Sequence, residues 1–169
     1  ALVDGLVGSE MCIRDRSTGS ADLTLDPNNP NIIYASMWEF RRGPWFFESG
    51  GDSSALYKSI DGGDSWIKIH NGFPEGKLGR LAIAVAKTDS NILYTVIEAE
   101  KDEDKGLYKS FDGGESWEQV NNDFGITVRP FYFSRIAVDP KNEDIVVKAG
   151  LYGSISKDGG KTFLDLGSV

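Results

Sequence analysis

Three stretches place a carboxylate, a hydroxyl and paired glycines within a few residues of one another. They are ALYKSIDGGDSW (55–66), GLYKSFDGGESW (106–117) and GLYGSISKDGGKTF (150–163). An acid beside a hydroxyl can activate a nucleophile or hold a divalent cation, and a glycine-rich turn can cradle a phosphate. Each chemistry makes a demand that this spacing fails. Counted from Asp61, the third, seventh and twelfth positions of a calcium loop are Gly63, Ile67 and Gly72, and the glycines stand where the third and twelfth need side-chain oxygens. DGGKT (158–162) imitates the end of a phosphate loop, but Ile155 stands where its first glycine belongs and no helical pattern follows. Nor is the one general acid of an active site supplied three times. Asp61, Asp112 and Asp158 share one setting, with Ser59, Ser110 and Ser156 two residues earlier and Trp66, Trp117 and Phe163 five residues later. The motif reads as scaffold: the acid orients a tight turn, the glycines supply left-handed backbone, and the aromatic pins the hairpin.

The elements that carry these turns follow from the repeat. Its serines recur after 51 and then 46 residues, and a second motif precedes each copy: LTLDPNNPNIIYA (23–35), IAVAKTDSNILYT (83–95) and IAVDPKNEDIVVK (136–148). Each is an apolar alternation, a polar turn, then a β-branched run, which reads as strand, turn, strand. Asp26-Pro27 and Asp139-Pro140 fix the turn in two copies, and Ala86-Lys87 replaces them in the other. With LYKS and SWIKI or SWEQV added, a unit holds four strands, the signature of a propeller blade. The third copy has two extra residues between Tyr152 and Asp158, a number that preserves strand parity. No segment repeats apolar residues at helical spacing. The expected fold is all-β, a β-propeller fragment of about three blades over 17–74, 75–124 and 125–169, with further blades of the same chain completing the ring.

Composition removes several partners. A net charge of −8 without a basic stripe argues against nucleic acid, and no apolar run has the length of a membrane-spanning helix. Residues 6–16, LVGSEMCIRDR, resemble a translated sequencing-library adapter, so 1–16 are set aside as an artefact or a tail. Cys12, the single cysteine, lies there, so no thiolate metal site, disulfide or cofactor is expected.

The pattern S-x-D-G-G-x-[ST]-[WF], together with DPNNPNIIYASMWEFRRGPW and RPFYFSR, resembles the Asp-box, or BNR, β-propellers over residues 20–165. The likeness is to the sortilin (Vps10) N-terminal domain and to bacterial propellers of glycosyl hydrolase type. It implies that the boxes lie on the outer rim, away from ligand sites, and it suggests an extracellular or cell-envelope protein. Binding and catalytic propellers share the box, so it speaks for fold rather than activity.

Function is then sought in what does not repeat. MWEFRRGPWFFESGG (37–51) interrupts the first unit and gathers Trp38, Arg41, Arg42 and Trp45. Aromatic faces suit sugar rings or apolar peptide side chains, and arginines suit carboxylates; the same rings could instead fill a gap between blades. GITVRPFYFSR (125–135) adds Arg129, Tyr132 and Arg135, and Arg135 aligns with Asp22 and Ala82 on the innermost strands, where a ligand contact or a salt bridge would be made. Arg80 is a similar candidate. EAEKDEDKG (98–106) is expected to be a solvated hairpin tip rather than a calcium loop, and the sole histidine, His70, a strand-end residue. No catalytic residue and no metal ligand is assigned. The expectation is a binding module for peptide or glycan; the alternative is part of a glycoside hydrolase whose catalytic carboxylates lie elsewhere.

Overall fold

The computed structural model of the chain describes residues 18–132 and 134–167, so the adapter-like segment falls outside the described residues. Three antiparallel sheets follow one another along the chain. The first holds β1 (Thr18–Leu25), β2 (Ile33–Arg42), β4 (Ala55–Ser59) and β5 (Ile67–Ile69), with the short β3 (Phe47–Ser49) paired only to the far end of β2. The second is β6 (Leu78–Val85), β7 (Leu93–Ala99), β8 (Gly106–Ser110) and β9 (Glu118–Asn121). The third is β10 (Arg135–Asp139), β11 (Asn142–Ala149), β12 (Gly153–Ser156) and β13 (Leu164–Asp165). These are three consecutive four-stranded propeller blades. Short 3-10 turns at Asp102–Asp104 and Phe124–Ile126 are the helical elements among the described residues.

The apolar core lies between blades, because alternate residues of each strand face opposite neighbours. Tyr34, Leu56 and Ile69 of the first blade pack against Leu81, Ile83, Leu93, Ile97 and Trp117 of the second. Tyr94, Val96 and Leu107 of the second meet Val146 of the third, with Ile136, Val138 and Phe163 partly buried around them. Tyrosine hydroxyls latch each seam: Tyr34 Oη donates to the Gly113 carbonyl at 2.8 Å, and Tyr94 Oη to that of Glu143 at 3.0 Å. Burial, with nearby carboxylates adding to it, raises both phenols well above their usual range.

Each Ser-x-Asp-Gly-Gly turn uses the same bonds. Ser110 Oγ donates to Asp112 Oδ1 (2.8 Å) and accepts from the Gly114 amide (2.9 Å), while Asp112 Oδ1 accepts from the Ser116 amide (2.9 Å). Ser59, Asp61 and Ser65 repeat this, as do Ser156, Asp158 and Thr162. The second glycine meets the preceding blade: a Cβ on Gly160 (φ +90°) would stand 2.4 Å from Leu107 Cδ2. The aromatic five residues on does more than pin its own hairpin. Trp117 Nε1 donates to the Gly114 carbonyl at 3.1 Å, but its ring wedges into the seam, 5.4 Å from Phe73.

In the third blade the two extra residues precede the strand rather than lengthen it. Ser154 pairs with Lys148 where Tyr108 pairs with Thr95, and Tyr152 stands exposed in the preceding loop.

Hydrogen bonding also makes the turns acid-sensitive. The Ser65 and Thr162 side chains and amides lower Asp61 and Asp158 from 3.8 to about 2. At Asp112 burial works upward, but donation by Ser116 and Ser110 outweighs it and the carboxyl again falls to about 2. A carboxyl depressed on folding stabilises the native state above its unfolded pKa and loses that contribution as pH falls through the folded one. Asp112→Asn is therefore expected to be less stable than the natural chain at neutral pH, with the gap closing between about pH 4 and 2. Denaturant titrations across that range test it, and a gap independent of pH would contradict the assignment.

Candidate functional site

Within a blade, the polar turn between the first two strands and the Ser-x-Asp-Gly-Gly turn share one end. The amides of Gly62, Gly113 and Gly159 donate to the carbonyls of Asn31, Asn91 and Asp144, at 2.9, 3.0 and 2.9 Å. The meander sends the remaining hairpins and the inter-blade linkers to the opposite end. All five arginines among the described residues (Arg41, Arg42, Arg80, Arg129 and Arg135) are carried there.

The aromatic insertion is a hairpin. β2 runs on past its sheet, and Phe40, Arg41 and Arg42 pair with Ser49, Glu48 and Phe47. The turn Gly43-Pro44-Trp45-Phe46 closes with the Gly43 amide donating to the Phe46 carbonyl at 3.0 Å. The hairpin reaches the linker before the third blade, where Arg42 Nη1 donates to Tyr132 Oη at 2.6 Å. Between them runs an open groove of about 560 Å³, lined by Arg42, Pro44, Trp45, Phe47, Arg129 and Tyr132 among others. Arg129 holds a left-handed backbone (φ +49°), uncommon for a residue with a side chain.

A continuous run of rings leads into one wall of the groove. Successive centroids lie 4.5 Å apart from Trp38 to Phe40, 5.5 Å to Phe47, 4.6 Å to Phe131 and 4.7 Å to Tyr132. Trp45, at the tip, is 95% exposed. Exposure within the insertion is uneven. Trp38 is half-buried, with Arg80 5.4 Å over its ring, whereas Arg41 and Trp45 face solvent.

A polar network beneath the wall ties its parts together. Trp38 Nε1 donates to Ser49 Oγ (3.1 Å), Ser49 to Glu98 Oε2 (2.8 Å), and the Arg80 amide to the same oxygen (2.9 Å). Arg80 Nη1 then holds the Phe131 carbonyl at 3.0 Å. Burial, then the charge of Arg135, lowers the Arg80 pKa, while Asp22 and Glu98 oppose them. Lys148, buried in the second seam, secures the linker by donating to the Gly125 carbonyl at 2.6 Å.

Arg135 lies outside the groove lining. It pairs with Asp22 Oδ1 at 2.9 Å, joining the first and third blades past β6, whose Ile83 amide also donates to Asp22. Arg42, Trp45, Arg129 and Tyr132 are therefore brought together, Trp38 supports them from below, Arg41 stands on the hairpin's outer edge, and Arg135 sits apart. Sequence reasoning missed Phe131, Ser49 and Glu98. Glu98 had a signal, an acid inside the otherwise apolar strand LYTVIEA.

The groove offers ring faces and guanidinium donors. Among the described residues no group of three or more His, Cys, Asp or Glu stands together to hold a metal, and no helix is long and apolar enough to cross a membrane.

No family model matches the chain. It is 33% identical over 132 residues to the photosystem II assembly lipoprotein Ycf48 of Synechococcus sp. (strain CC9902), covering 73% of this chain and 35% of that protein. Among solved structures it is similar to the GH74 xyloglucanase of Xanthomonas campestris, with a TM-score of 0.62, 19% identity, and 86% and 21% of the two chains covered. It is also similar to a YCF48 bound to D1 peptide, with a TM-score of 0.55, 16% identity, and 89% and 40% covered. The chain thus spans about a third of the curated relative's length, and the structural likenesses show a shared β-propeller fold.

Proposed function

We infer that this part of the propeller is a binding module whose groove takes an extended peptide with acidic and apolar side chains. The observation that carries the reading is the joining of hairpin and linker by Arg42 and Tyr132, which sets guanidinium donors beside a run of rings ending at Tyr132, with exposed Trp45 at the hairpin tip. Arginine binds carboxylate through paired donors, and ring faces receive apolar or cationic groups. The three turns fit the Asp-box of sortilin-type propellers, and a solved structure of similar fold carries a D1 peptide. A glycan is the second ligand class, favoured by the open Trp45 ring; its enzymatic form is a xyloglucanase-like hydrolase whose catalytic carboxylates lie in other blades.

Titration with the D1 peptide of the YCF48 structure and with xyloglucan oligosaccharides, followed by tryptophan fluorescence, separates the readings. Saturable peptide binding weakened about tenfold by Arg42→Ala is expected, the size of a lost charge-assisted contact. Reducing-sugar release from xyloglucan by the full-length protein, with no saturable peptide binding, would reverse the assignment.

A further inference from the structure

A second depression, of about 210 Å³, opens on the outer rim at the seam of the first two blades, lined by none of the groove residues. It is lined by Lys58, Ile60, Ile67, Ile69, His70 and Glu115 among others. Comparison with the next seam shows what is different. Lys58 corresponds to Lys109, Ile60 to Phe111 and Ile67 to Glu118. At the second seam Lys109 is buried, with its ammonium 5.0 Å from the Tyr94 ring centroid and 4.7 Å from that of Phe111. That blade therefore supplies its own aromatic cover for the seam lysine. In the first blade the covering residue is Ile60, which has no ring; Lys58 pairs with Glu115 at 2.7 Å, as Lys109 does with Asp144 at 3.5 Å. Ile60 and Ile67 are left 60% and 63% exposed beside it.

The backbone there is also open. β5 is the last strand of its sheet and pairs only with β4, so its outer edge is open, with the Lys68 carbonyl 3.3 Å from His70 Nδ1. The β9 edge is polar, with Glu118 and Gln119, whereas the β5 edge sets exposed Ile67 beside a single charge, Lys68.

We propose that the β5 edge is a second peptide-binding site, at which an extended segment adds to the strand and lays an aromatic side chain over Lys58 as Phe111 lies over Lys109. Main-chain pairing would give the extended geometry and the pocket the side-chain preference, the division usual in strand addition. A ring over the Lys58 ammonium, whose side chain is 14% exposed, favours aromatic over aliphatic side chains by about two- to fivefold. The site does not depend on the reading of the groove.

The test is methyl and amide NMR of the 169-residue chain, titrated with Ac-Thr-Phe-Thr-NH2 and with Ac-Thr-Leu-Thr-NH2. The phenylalanine peptide is expected to shift Ile60, Ile67, Ile69 and the Lys68 amide saturably, and more tightly than the leucine peptide by the factor above. Ile60→Phe and Ile67→Glu, each installing the residue that the second blade already carries, should abolish those shifts while preserving the fold. Shifts that survive both variants, equal response to the two peptides, or no saturable shift would overturn the proposal. So would concentration-dependent shifts of the same methyls without peptide, which would assign the edge to a second copy of the chain.

Discussion

Trp117→Ala is expected to lower the free energy of unfolding by about 3–5 kcal/mol, the range for removing a large buried ring and leaving its cavity. Trp117 is 5% exposed and belongs to the seam of the first two blades, with Tyr34, Leu56 and Ile69 in the same cluster. Its loss empties the seam and frees the Gly114 carbonyl, so the second blade loses its purchase on the first. Trp66 holds the corresponding place in the first blade and is only half-buried, so Trp66→Ala should cost distinctly less. Urea denaturation of the three proteins measures the difference. A loss below about 1 kcal/mol at Trp117, or equal losses at the two sites, would mean that the seam is not what holds the blades together.

Trp45→Ala is expected to do the reverse. With 95% of the residue exposed, its removal should change stability by no more than about 0.5 kcal/mol. Its effect falls on ligand. An exposed tryptophan at a groove mouth is the residue type that dominates interfaces, and its truncation there costs about 2 kcal/mol or more, some 30-fold in affinity. The pair of substitutions separates scaffold from site by measurement: one tryptophan for the fold, one for the ligand. Unchanged stability with unchanged affinity for Trp45→Ala would remove the hairpin tip from the site.

Much of the fold was legible because the repeat samples the same physics three times. Parity along LTL, IAV and IIY sets which residues enter the seams, and the recurring serine, acid and glycines specify the turn bond by bond. The groove was less legible. Arg42 and Tyr132 are 90 residues apart, and their meeting depends on how one blade is rotated against the next, which strand periodicity does not encode. The hairpin itself was hidden because FRRGPWFF alternates poorly, so its pairing shows only as β2 continuing beyond its sheet. Lys148 illustrates a different failure. A lysine at a strand position reads as solvated, yet it is buried because one linker carbonyl, at Gly125, lies within its reach.

The central claim is that the end opposite the Ser-x-Asp-Gly-Gly turns binds ligand through the 42–47 hairpin and the 129–132 segment. Selection of a random dodecapeptide library on the immobilised chain tests it most directly, with each enriched peptide then measured against Arg42→Ala, Trp45→Ala and Asp112→Ala. The account predicts sequences rich in acidic and apolar residues, with binding weakened by the first two substitutions and retained per folded molecule by the third. Enriched peptides whose affinity ignores both Arg42→Ala and Trp45→Ala would contradict it.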